Sequence, residues 1–188
     1  MIIWLNGTFG VGKTTTSKEL AAALPSARIF DSETVGYMLR PVLKSVPVAD
    51  FQEWRPWRHL VVETAVQILD YVGGTLVIPQ SVLVEQYWDE IETGLRGAGI
   101  PVHHFVLHAD QDVLTTRIET DTVETGARRW RLDHLPDYRQ ALPWLSRRAH
   151  LIDTNRSTPA EVVTSVLATL MRSGTPVAGT TADAAPTS

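Results

Sequence analysis

The sequence contains no cysteine. That excludes disulfides and thiolate metal sites, and it suits a reducing compartment, so a cytoplasmic location is expected. No apolar run reaches the roughly 18 residues that a membrane-spanning helix needs. No signal-like segment precedes the first apolar run, so no leader is expected. Basic residues are not in excess: 17 Lys and Arg stand against 21 Asp and Glu, a formal net charge of −4. Such a balance gives no electrostatic reason to expect a nucleic-acid partner. There is no internal repeat. The rest is ordinary for a globular chain, with 44% hydrophobic and 20% charged residues. At 188 residues it is long enough for one domain with a full core.

One stretch organises what is present. Gly7-Thr8-Phe9-Gly10-Val11-Gly12-Lys13-Thr14 fits G-x-x-x-x-G-K-[ST], a phosphate-binding loop. Its context agrees. Residues 1–5 form a short apolar run, as in a buried parallel strand, and Ser17, Leu20, Ala21 and Leu24 recur at helical spacing. The glycines permit turns that side chains would block, and the loop's N–H groups then surround an anion at a helix N-terminus. Lys13 is expected on the β- and γ-phosphates and Thr14 on Mg²⁺. Phe9, Val11 and Thr15 complete the expected ATP-binding segment.

Along the chain, strand patterns at 1–5, 27–30, 75–79, 102–107 and 150–153 alternate with helical ones. This predicts an α/β domain over residues 1–172 with a five-stranded parallel sheet. The order 2-3-1-4-5 is taken by analogy with nucleoside-monophosphate kinases. One long helix is expected over 50–72, a polar lid over 121–131, a helix over 136–148 that Pro143 kinks or breaks, and a disordered tail over 173–188.

Ligands gather at the carboxyl ends of parallel strands. Asp31, directly after the second strand, can take a proton from an acceptor hydroxyl or serve Mg²⁺; a plain helix cap is the alternative. The third strand ends in Ile78-Pro79-Gln80-Ser81, where many P-loop proteins carry an acid. Gln80 is therefore read as a substrate- or water-orienting residue. Arg117 and Arg128 suit a lid that steadies the transferred phosphoryl group, whereas Arg129 and Arg131 can equally be solvated surface. Trp54, Trp57, Arg58 and Arg40 are candidates for the acceptor wall, with core packing the competing explanation for the tryptophans. Asn155, after the last strand, can border the adenine pocket. His103, His104 and His108 do not have the spacing of a metal site.

Several segments together resemble the tunicamycin-resistance (TmrB-like) ATP-binding proteins. They are Ile2-Ile3-Trp4-Leu5-Asn6-Gly7, Asp31-Ser32-Glu33 with Gly36 and Leu39-Arg40, Asp50-Phe51-Gln52 with Trp57-Arg58, Val77-Ile78-Pro79, and Val102-His103-His104-Phe105. The resemblance runs from residue 1 to about 117. It implies a three-layer kinase-like fold, bound ATP and Mg²⁺, and a link to nucleoside-antibiotic resistance. It also implies membrane association through an amphipathic C-terminal helix, but 173–188 lacks the basic amphipathic pattern this requires. Three readings follow: a small-molecule phosphotransferase, an ATP-dependent binder that sequesters an antibiotic, or a housekeeping nucleotide or metabolite kinase. A homodimer is left open.

Overall fold

The computed structural model describes residues 1–123 and 125–174. Its five strands are parallel and run in the order β2-β3-β1-β4-β5, as expected. They are β1 (Ile2–Asn6), β2 (Ala27–Ile29), β3 (Thr75–Pro79), β4 (Val102–His108) and β5 (His150–Asp153). β1 is the central strand and every residue in it is buried. Both of its edges are paired, to β3 through Ile3↔Val77 and to β4 through Ile3↔His103.

Alternation along β1 divides the core into two layers. Ile3 and Leu5 pack with Leu20, Val163, Val166 and Leu170. These come from α1 (Lys13–Ala23) and α8 (Pro159–Arg172). Ile2 and Trp4 face the opposite layer, with Trp57, Trp88, Ile91 and Leu145. That layer is built by α3 (Arg55–Val72), α4 (Glu85–Gly97) and α7 (Leu135–Arg148). Two shorter helices, α2 (Glu33–Leu39) and α5 (Gln111–Thr120), follow β2 and β4. Among the described residues no helix is long and apolar enough to cross a membrane.

Local chemistry gives three segments a form of their own. Residues 50–72 are not one helix. Asp50 and Glu53 form a capping box around a short 3-10 helix, Phe51–Glu53, and Trp54 is extended before Pro56 opens α3. Pro143 breaks nothing: α7 runs through it, held by its buried face of Tyr138, Ala141, Trp144 and Leu145. The polar stretch 121–131 is largely helical, with a 3-10 turn at Thr125–Ala127 and α6 at Arg128–Asp133. Arg131 anchors it by an ion pair to Asp121 at 2.7 Å. The expected disordered tail lies outside the described residues from 175 onward.

Two proposed acceptor residues belong to this core instead. Trp57 is fully buried and its Nε1 donates to the Ser32 carbonyl at 3.1 Å. Arg58 is buried and committed: Nε donates to Glu90 at 2.6 Å, Nη1 donates to the Gln52 carbonyl, and the guanidinium stacks 4.3 Å from the Tyr87 ring. It clamps α3 to α4, and its hydrogen bond holds the Glu90 carboxyl below the usual range. We expect Arg58→Ala to cost about 2 kcal/mol of stability in urea denaturation, because charged hydrogen bonds and stacking go together. Arg58→Lys should recover only part, since an ammonium lacks the fork. Wild-type stability for Arg58→Ala would contradict the clamp.

His104 is equally structural. It stacks on Trp88 with 3.8 Å between ring centroids, and its Nε2 lies 3.2 Å from the Asn6 amide. Burial keeps the ring neutral, with a pKa lowered to about 3. In the unfolded chain a histidine takes up a proton below roughly pH 6.5, but the folded chain does not until about pH 3. This contribution is therefore intact above pH 6.5 and declines as pH falls between those limits. Between pH 6.5 and 5 wild type should lose about 2 kcal/mol more than His104→Gln does. Parallel stability profiles would count against a buried neutral imidazole.

Candidate active site

The phosphate loop follows β1 and is shaped by its glycines. Gly7 has φ +128°, and a Cβ there would come within 2.5 Å of the Leu107 carbonyl oxygen. No side chain fits, so the loop can lie against the end of β4 only with glycine at this position. Gly12 (φ +98°) begins α1 without a side-chain cap, and a Cβ on it would meet open space. The first N–H groups of α1 are thus offered outward, where an anion would complete them. Lys13 folds back onto the loop, its Nζ donating to Thr8 O at 2.8 Å and Gly7 O at 3.1 Å. Thr14 and Thr15 are exposed on the first turn of α1, whereas the Val11 side chain is core. Val11 can therefore meet a phosphate only through its backbone.

Lys13 and Thr14 also line a cavity of about 1090 Å³. Glu33, Tyr37, Arg40, Asp50, Phe51 and Trp54 line it together with Trp130, Arg131, His134, Asp137 and Trp144. Aromatic contacts continue onto the loop itself. Phe9 packs edge-on against Trp130 at 4.8 Å, and Trp130 lies 4.1 Å from the His134 ring. Burial, then the nearby Asp31 charge, raises the Glu33 pKa, while a hydrogen bond from Tyr37 at 3.2 Å opposes the shift. Burial likewise raises Asp50 against the hydrogen bonds from Gln52. The cavity thus joins a phosphate cradle to a pocket rich in rings and carboxylates.

The sequence candidates fall into separate groups. Gln80 lines the cavity, but its amide is occupied: Oε1 accepts from Ser32 at 2.8 Å and Nε2 donates to the Ser81 carbonyl at 3.1 Å. Arg40 and Trp54 line it as expected, Arg40 resting 5.3 Å over the Tyr37 ring. Asp31 is exposed and outside the lining, and its Oδ1 accepts from the Glu33 amide at 3.0 Å, the capping role weighed as its alternative. Arg117 packs beside Gly10 but donates to Thr154 O at 2.6 Å rather than into the cavity. Asn155 staples the loop before α5, accepting from Asp110 N at 2.8 Å.

On the lid side the expectation is corrected. Arg131 reaches the cavity, whereas Arg128 donates to the Asp121 carbonyl at 3.2 Å and lies outside the lining. Arg129 pairs with Asp133 on the surface. Both bond to Asp121, Arg128 to its carbonyl and Arg131 to its carboxylate at 2.7 Å, and the side chain of Arg131 is the one that borders the cavity. Glu33, Trp130 and His134 were missed as cavity residues. The signal available was their position, one directly after Asp31-Ser32 and two inside the stretch read as a lid.

The donor set suits ATP with Mg²⁺. The loop supplies an anion cradle, Lys13 an ammonium group and Thr14 an exposed hydroxyl. Among the described residues no group of three His, Asp or Glu could hold a metal by itself.

Comparison with known proteins agrees with this geometry. No curated protein matches the sequence. Among solved structures, the chain is similar to the Deinococcus radiodurans tunicamycin resistance protein, with 27% identity over 90% of this chain and 95% of that one and a TM-score of 0.68. The expected resemblance to that group is thus met. A gluconokinase from Sinorhizobium meliloti 1021 shares the fold at 22% identity over 90% of this chain and 91% of its own, with a TM-score of 0.60. A sugar kinase from Janibacter sp. HTCC2649 does so at 19% identity over 95% and 98%, with a TM-score of 0.58. A family model described as an AAA domain, AAA_33, matches residues 2–129, most of the chain. The protein is a member of this AAA_33 family of P-loop, kinase-like domains.

Proposed function

We propose that the protein is an ATP-dependent small-molecule phosphotransferase whose acceptor is a nucleoside antibiotic of the tunicamycin kind. The observation that carries this reading is the overlap of the two sites: Lys13 and Thr14 belong both to the phosphate loop and to the large cavity. An acceptor in that cavity would approach a γ-phosphate on the loop. The loop amides, the N-terminus of α1 and Lys13 would hold the phosphates, and Thr14 would hold Mg²⁺. Bound MgATP would supply the phosphoryl group. Asp31 would take the proton of the attacking hydroxyl, with Glu33 orienting the acceptor beside it. Arg131, the lid arginine that lines the cavity, would steady the transferred group, and closure of the lid would exclude water. Asn155 would border the adenine end. A cytoplasmic location belongs to this reading.

Rings and hydroxyls suit the cavity wall. Phe9, Phe51, Trp54, Trp130 and Trp144 offer stacking surface, and the likeness to the tunicamycin resistance protein points the same way. A second reading, sequestration without transfer, is favoured by one observation: no carboxylate ends β3, and the amide of Gln80 is already engaged.

Mass spectrometry of tunicamycin after incubation with protein, ATP and Mg²⁺ separates the two. A phosphate-sized mass gain, absent with Lys13→Ala, is the expected outcome. Drug recovered unmodified but bound in an ATP-dependent manner would replace transfer by sequestration. Turnover of gluconate or a nucleoside monophosphate with the drug ignored would point to a housekeeping kinase. Within the transfer reading, Asp31→Asn should lower kcat by roughly 10²–10⁴-fold, the usual range for a general base. Glu33→Gln should chiefly raise KM for the acceptor. Steady-state kinetics showing the reverse assignment would exchange the two roles.

A further inference from the structure

The carbonyl of Gly7 accepts from two donors at once: Lys13 Nζ at 3.1 Å and the Ser81 hydroxyl at 2.6 Å. Gly7 and Ser81 are both buried. A lysine that moves out to a phosphate must leave this carbonyl. A buried carbonyl left without a partner is costly, enough to weaken binding on the order of tenfold. We infer that Ser81 is the standby partner that keeps Gly7 O satisfied and so frees Lys13 for nucleotide. The inference rests on the ATP reading of the loop.

The surroundings aim Ser81 at this task. On one side of it, Val82 is pinned by Asn6, whose Oδ1 accepts from Val82 N at 2.9 Å and whose Nδ2 donates to Val82 O at 2.9 Å. The same Oδ1 accepts from Gly7 N at 2.8 Å, so one side chain fixes the loop and the segment after β3 together. On the other side, the backbone N–H of Gln80 donates to Leu5 O at 3.1 Å. Its side chain bridges the Ser32 hydroxyl and the Ser81 carbonyl. Ser32 directly precedes Glu33 of the cavity wall. A chain of hydrogen bonds therefore runs Ser32–Gln80–Ser81–Gly7–Lys13, from acceptor wall to phosphate loop. Where many P-loop proteins place an acid, this protein has a neutral link. Ser81, Gln80 and Ser32 are positioning residues: they act through Gly7 and Lys13.

The experiment is calorimetric titration of the full chain with a non-hydrolysable ATP analogue and Mg²⁺, paired with thermal unfolding of the ligand-free protein. Ser81→Ala should weaken binding about tenfold. Its ligand-free unfolding midpoint should stay near wild type, because Lys13 still satisfies Gly7 O there. Ser81→Thr, which keeps the hydroxyl, should restore binding. Gln80→Glu keeps the acceptor for Ser32 but loses the donor to Ser81 O, so it should weaken binding too. Wild-type affinity in Ser81→Ala, or a loss of ligand-free stability matching the loss of affinity, would overturn the standby role. Tighter Mg²⁺-dependent binding by Gln80→Glu would make the position a metal site and overturn it as well. A wild type that binds no analogue would instead remove the ATP reading on which the inference rests.

Discussion

The fold of the site depends on the close approach of Gly7 to the end of β4. A Cβ at Gly7 would meet the Leu107 carbonyl oxygen at 2.5 Å. With glycine, the central strand can turn directly into the loop, and α1 can start over the sheet. Everything functional is measured from that turn. Lys13 rests on it, Asn6 and Ser81 hold it, and Arg117 packs beside the next glycine of the loop. The parallel sheet explains why the turn is also where ligands meet. Every strand here ends on the same side, so the segments following β1, β2 and β3 converge there.

Much of the architecture was legible because it is written locally. The loop motif, its flanking strand and helix, and the alternation of β and α followed from short patterns, whereas the sheet order came by analogy with nucleoside-monophosphate kinases. The site's walls were legible only in part. Trp57 and Arg58 stand in one short motif with Trp54, yet Trp54 lines the cavity while the other two are core. The capping box at Asp50 and Glu53 and the proline at 56 set the phase of α3, and that phase decides which side chain turns inward. Arg58 was read as part of the acceptor wall because nothing in its neighbourhood reveals Glu90, which lies on another helix. The exchange of Arg128 for Arg131 has the same cause. A polar stretch has no apolar stripe from which to read a helical face.

The cavity's composition also bears on how this chain differs from structures that share its fold. Arg58 is locked away, and the guanidiniums that line the cavity are those of Arg40 and Arg131. Glu33, Asp50 and Glu53 line the cavity together with Phe51, Trp54 and Tyr87. Shared fold alone would not separate acceptor classes, since the gluconokinase and the tunicamycin resistance protein both superpose on this chain.

The most direct test of the account is whether the acceptor cavity and the nucleotide loop work as one site. Titration of tunicamycin into the protein, with and without a saturating non-hydrolysable ATP analogue and Mg²⁺, measures this. The account requires one drug molecule per chain and an affinity that changes with nucleotide, the change being lost in Lys13→Ala. Drug affinity indifferent to nucleotide in both proteins would contradict it.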